Sequence, residues 1–160
     1  MADGPTGLRA KVCTISDGVA AGEREDRSGP ALVARLEAEG YEVAELRVVS
    51  DGVEPVAEAL ADLADGFAGL IVTTGGTGFG PRDLTPEATL RVVDRQAPGL
   101  AEAIRLVNPL GRLSRAVAGT MAASLVINVP GSPKGAVECL EAVLDVVPHA
   151  LALLRGEKAH

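Results

Sequence analysis

The chain has 160 residues, enough for one domain with a sizeable core. Hydrophobic residues make up 47 % but aromatics only 2 %, with no Trp, so the core is aliphatic and suited to parallel strands buried between helices. The formal net charge of −7 argues against a nucleic-acid binder, and no stretch reaches the roughly 18 apolar residues of a membrane span.

In chain order, MADGPTG (1–7) reads as a flexible lead with no apolar run, so no secretory signal is expected; residues 8–157 read as a single domain. LRAKVCTIS (8–16) is a strand, and 17–27 a loop rich in glycine and charge. A helix starts at Ser28 or Gly29 and runs to Glu39, with Leu32, Val33 and Leu36 on one face and Gly40 as its stop. YEVAELRVV (41–49) is a second strand. Asp51 opens a helix through Asp65, with Val56, Leu60 and Leu63 as its stripe. AGLIVTT (68–74) is apolar throughout, as a central parallel strand is.

A glycine-rich loop follows. Thr85-Pro86 starts a helix to about Arg95, and 98–107 forms another. Residues 108–115 read as loop, Ser124–Val129 as a strand, and 133–155 as a helix that Pro148 kinks or splits. Strands alternating with helices predict one α/β domain: a mostly parallel sheet flanked by helices in three layers. Cys13 and Cys139 lack metal-type spacing and read as buried free thiols, in keeping with a reducing cytoplasm.

Ligands of open parallel sheets bind beyond the carboxyl ends of the strands. Four loops follow predicted strands: 16–29, SDG (50–52), TTGGTGFGPRD (73–83) and PGSPKG (130–135). Parallel strands would bring all four to one edge. TGGTG either cradles a phosphate with successive backbone N–H groups or makes a tight strand-to-helix connection. It lacks both the GK[ST] ending of a P-loop and the GxGxxG spacing of a dinucleotide fingerprint.

Asp83 and Asp51 each have two readings. Asp83 caps its loop or the next helix, and Asp51 with Glu54 forms a capping box; or the two together hold Mg²⁺. Arg82, Arg112, Arg115 and Lys134 fall in the same loop layer, a local basic exception that favours an anionic ligand. Ser114 and Ser132 have no adjacent His, and His149 in mid-helix and His160 at the terminus argue against a Ser-His-Asp arrangement. GERED (22–26) reads as a solvated run.

SDG…GEREDRSGP, TTGGTGFGPRDLTPEAT, PGLAEAIR and LSRAVAG…LVINVPGSPKGAVECLEAVL occur in that order. Together they resemble the molybdopterin adenylyltransferase family (MogA/MoaB-like), whose domain also occurs in fusion proteins such as gephyrin. The resemblance spans about residues 8–155. It implies a trimeric protein of molybdopterin-binding-like fold that uses ATP and Mg²⁺ to join AMP to the phosphate of molybdopterin. Pyrophosphate leaves, and the product passes to a molybdate-inserting partner.

Carried over by position, Asp83 and Asp51 are the implied catalytic carboxylates and Mg²⁺ ligands. Thr74, Gly75, Gly76, Thr77 and Gly78 match the nucleotide loop. Ser114, Pro130, Gly131 and Ser132 match pocket-lining segments. Ser16, Asp17, Arg82, Arg115 and Lys134 complete the expected nucleotide and pterin set. The chain departs from the pattern at Gly52, where a second Asp is common, and at Gly18, where an Arg is common; either Arg24 or Arg27 supplies the missing cation, or affinity for the substrate is lower. The alternative reading is a non-catalytic molybdopterin or nucleotide carrier of the same fold.

Overall fold

Short aliphatic runs separated by glycine and proline build alternating strands and helices. A computed structural model describes residues 7–157. Residues 1–6 of the expected lead lie outside the described residues. The strands are β1 (Arg9–Ile15), β2 (Glu42–Val49), β3 (Gly69–Thr74), β4 (Arg95–Gln96), β5 (Ala118–Met121) and β6 (Ser124–Val129). The helices are α1 (Asp17–Ala20), α2 (Ser28–Ala38), α3 (Val53–Ala64), α4 (Thr85–Val92), α5 (Pro98–Arg105), α6 (Pro133–Glu141) and α7 (Val147–Leu154).

One six-stranded sheet runs in the order β2-β1-β3-β6-β5-β4. The first four strands are parallel; β5 and β4 are antiparallel additions at one edge. Alternate side chains serve opposite faces. Ala10, Val12, Leu70, Val72, Leu125 and Ile127 pack with Leu32, Leu36, Leu140 and Leu144 on one side. Cys13, Ile15, Ile71 and Val126 pack with Val56, Leu60, Leu63 and Ala88 on the other. The expected three-layer α/β domain is therefore present.

The register decides where the loops emerge. Ile15 pairs with Val49, Thr14 with Thr74, and Thr74 with Val129. The four parallel strands thus finish level, and their following loops share one edge. Beneath that edge sits a buried polar knot. The Asn128 amide donates to Thr73 Oγ1 at 2.9 Å and Thr89 Oγ1 at 3.1 Å, and its oxygen accepts from the Val117 N–H at 2.9 Å. This network holds β3, β6 and α4 in fixed relation, because leaving any member unpaired there is costly.

Several boundaries differ from expectation. Residues 17–20, expected as loop, form α1, capped by Ser16 Oγ accepting from Val19 N–H at 3.2 Å. α3 begins at Val53, and its cap is Gly52 at φ 118 with no side-chain bond, so Asp51 does not form the expected capping box. α4 stops at Val92, because residues 95–96 leave to pair with β5. β5 was unforeseen, since AGTM is small and lacks the alternation of a half-buried strand. The expected loop 108–115 contains a 3-10 turn at Pro109–Leu113. The helix expected over 133–155 is two helices, and Pro148 sits in the first turn of α7, where a missing N–H is no loss. Cys13 and Cys139 are buried, and burial pushes their thiols up to about 12 and about 11, leaving them unreactive.

Candidate functional site

A cleft of about 750 Å³ opens over the level strand ends. Its floor is Thr14, Ile15, Ser16, Thr74, Gly75 and Gly76. Asp51, Asp83, Gly131, Ser132 and Pro133 also line the cleft. Residues 24–28 of the loop before α2 form the remaining wall.

The glycine loop turns sharply here. Gly75 has φ 106 and Gly76 φ 72, a region costly for residues with a Cβ. Gly75 N–H donates to the Val129 carbonyl at 3.1 Å, while the Thr85 hydroxyl holds the Gly75 carbonyl at 2.9 Å. Among the described residues, the N–H groups of Gly76, Thr77 and Gly78 have no acceptor. Unpaired N–H groups on a glycine turn form an anion-binding concavity.

The two carboxylates are held differently. Asp83 Oδ2 accepts the Gly80 N–H at 2.9 Å and closes the loop tip, but it does not cap α4, whose cap is Leu84. Asp51 Oδ2 accepts the Asp17 N–H at 2.9 Å, and Asp17 Oδ1 accepts the Asp51 N–H at 3.1 Å. This reciprocal pair ties the loops after β1 and β2. Arg82 adds the third loop, donating to both Asp17 oxygens at 3.0 and 3.1 Å and to the Asp51 carbonyl at 2.9 Å. The Arg82 hydrogen bonds hold the Asp17 carboxyl below the usual range. Burial, helped by the negative charges of Asp17 and Asp83, holds Asp51 above it.

Residues 11–149 match a family model described as "Probable molybdopterin binding domain". The chain belongs to this molybdopterin-binding family. Molybdopterin adenylyltransferase of Helicobacter pylori (strain J99) is 38 % identical, over 91 % of this chain and 86 % of that protein. Among solved structures, the molybdopterin biosynthesis enzyme MoaB from Thermus thermophilus superposes with a TM-score of 0.88 at 46 % identity, covering 96 % of this chain and 99 % of that one. The molybdopterin biosynthesis Mog protein of Mycobacterium ulcerans gives 0.85 at 41 % identity, covering 92 % and 99 %.

Within this family member, eight expected residues line the cleft: Ser16, Asp51, Thr74, Gly75, Gly76, Asp83, Gly131 and Ser132. Thr77, Gly78, Ser114 and Pro130 flank it without lining it. The residues of the expected basic cluster lie as follows. Arg82 is taken by Asp17. Arg115 donates to the Gly78 carbonyl at 2.9 Å and to Asp83 O and Glu87 Oε2, each at 2.6 Å. Arg112 folds onto the Pro109 carbonyl at 3.0 Å, and Lys134 lies exposed on the first turn of α6, outside the cleft. Arg82 and Arg115 brace the loop, because carboxylates and carbonyls of the loop layer accept from them.

The cleft's own cations are Arg24 and Arg27, the first of them in the run read as solvated. Asp26 also faces the cleft, accepting from Thr14 Oγ1 at 2.9 Å and Gly29 N–H at 3.0 Å. An Asp three residues before a glycine at a helix start was the legible signal for that turn.

Two predictions arise here. Asp51 carries a raised pKa in the fold. Its contribution to stability is therefore fully present below its unfolded pKa and is lost as pH rises through the folded one. Asp51→Asn should leave Tm at pH 7 unchanged or slightly higher by calorimetry, while impairing function. Arg82→Ala should loosen Asp51 with little thermal cost, since exposed pairs contribute about 0–1 kcal/mol. Turnover should fall roughly tenfold, and Arg82→Lys should not restore it, because Lys lacks the two-pronged fork that meets both Asp17 oxygens.

Proposed function

We propose that this chain is a molybdopterin adenylyltransferase, which joins the AMP of ATP to the phosphate of molybdopterin and releases pyrophosphate. The observation that carries the reading is the convergence of Asp51, Asp83 and the glycine turn at Gly75 and Gly76 over one cleft, in a chain whose relatives bear that name.

The chemistry needs little from a protein nucleophile. A phosphate oxygen of the pterin attacks the α-phosphorus of ATP, a new P–O bond forms, and the bond to pyrophosphate breaks. Such transfers depend on positioning and on offsetting negative charge. The unpaired N–H of Gly76, which lines the cleft, would orient a phosphate without reorganising. The caps Ser16 and Ser132 keep their hydroxyl hydrogens as donors at the cleft, since each uses its oxygen to accept from its helix. Ile15, Val19 and Pro133 offer apolar wall for a flat ring.

Four carboxylates, Glu25, Asp26, Asp51 and Asp83, face the cleft against two guanidinium groups, so the cleft by itself repels a polyphosphate. The donor set suits Mg²⁺. Asp51 senses the charge of Asp83, and the described residues contain no group of three acidic, His or Cys side chains that would cage a metal. Such a site fits a hard cation held by one or two carboxylates plus substrate phosphates. Asp51 and Asp83 would hold it, and when bound it offsets charge on the reacting phosphates.

The reading extends to a cytoplasmic homotrimer that hands its product to a molybdate-inserting protein. Exposed Leu106, Leu110 and Leu113 support self-association, and no helix among the described residues is long and apolar enough to cross a membrane. Gly52, in place of a second loop carboxylate, favours the rival reading of a carrier that binds without turnover. Pyrophosphate release that requires molybdopterin, ATP and Mg²⁺ together separates the two. A carrier releases none.

A further inference from the structure

We infer that Arg24 is the side chain that captures the phosphate end of the ligand, and that Gly18 is glycine in order to seat it. Residues 23–24 fold back over α1, with the N–H groups of Glu23 and Arg24 donating to the Gly18 carbonyl at 2.8 and 3.2 Å. The Arg24 stem then lies across Gly18. A Cβ added at Gly18 would stand 2.8 Å from Arg24 Cδ and 3.3 Å from its Cγ, closer than packed carbons allow. The missing side chain at 18 is therefore a slot filled by the stem of 24.

Among the described residues, the guanidinium that this slot carries is the free cation of the cleft. Arg82 and Arg115 are committed to the loops, and Arg27 lies 3.7 Å from Glu25. No described residue accepts a hydrogen bond or ion pair from the Arg24 side chain, although Arg24 lines the cleft. A flexible Arg whose stem is held on a fixed seat loses less entropy when its fork meets a phosphate. The ligand class is a phosphomonoester or polyphosphate. This inference rests on the cleft binding phosphate groups, and not on adenylyl transfer taking place there.

The test measures binding of Mg²⁺-pyrophosphate to the full chain by calorimetry, at two salt concentrations. Arg24→Met keeps the stem and removes the charge. It should weaken binding roughly 10- to 100-fold, flatten the salt dependence and leave Tm unchanged. Gly18→Ala is compatible with its helical backbone and raises helix propensity, yet it unseats the Arg24 stem. It should weaken binding by a similar factor with Tm equal or higher, a combination that a merely structural role for Gly18 does not produce. Wild-type affinity in Arg24→Met, or no pyrophosphate binding by the wild type, overturns the inference. Arg24-dependent binding in a protein that forms no adenylylated product sustains it while the proposed activity fails. Turnover with Arg24→Met binding like wild type does the reverse.

Discussion

Asp83→Asn should leave the protein folded and able to bind pterin, yet reduce pyrophosphate release by about 10²-fold or more. Asp83 uses Oδ2 to accept the Gly80 N–H, and an Asn side-chain oxygen accepts the same bond. The neighbouring brace also survives, because Arg115 reaches the Asp83 main-chain carbonyl and not its carboxylate. Tm should therefore move by no more than about 2 °C. Only the charge on the cleft side of the loop is lost, which is the part a metal and reacting phosphates would sense. Turnover at the wild-type rate sinks the assignment. A large fall in Tm assigns Asp83 to the loop's stability instead.

Gly75→Ala should be the most damaging small substitution in the site. Gly75 has φ 106, and a Cβ there would collide with the Ile15 carbonyl oxygen, which belongs to backbone and cannot swing aside. Strain and collision together should cost about 3 kcal/mol or more, lowering Tm by roughly 6–12 °C. Gly66→Ala is the control. Gly66 also has positive φ, 66, but a Cβ there meets nothing within 4 Å, so its cost should stay near ~1 kcal/mol. Equal costs at the two positions would show that conformation alone, and not the approach of the Ile15 carbonyl, fixes Gly75.

The contrast between these glycines marks what a sequence can disclose. The dense glycines after an apolar strand signal a sharp turn beside something close, and GLIVTT signals a central parallel strand; both readings hold. Asp51, Asp83 and the glycine loop were legible because each follows a strand, and level strand ends bring such loops together.

Arg24 and Arg27 were candidate cations only through the resemblance, and the partners of the other arginines were not legible. Which arginine faces a ligand depends on which carboxylates stand nearby, and those lie far away in sequence. Arg82 meets Asp17 across 65 positions, and Arg115 meets Glu87 across 28. Arg24 looked solvated because its neighbours are charged, and only the folded path of 18–24 shows what its stem rests on. β5 escaped for a related reason. Ala118–Met121 is chosen as a strand by pairing with β6, which residue type alone does not announce.

The central claim, that this cleft carries adenylyl transfer to the pterin phosphate, is tested most directly by the identity of the product. Purified protein is incubated with molybdopterin, ATP and Mg²⁺, and the pterin is analysed by mass spectrometry. The expected product is a pterin heavier by one adenylyl group, formed in step with pyrophosphate and absent when Asp83→Asn replaces the wild type. An unmodified pterin that stays bound to the protein while ATP is untouched contradicts it and leaves a carrier.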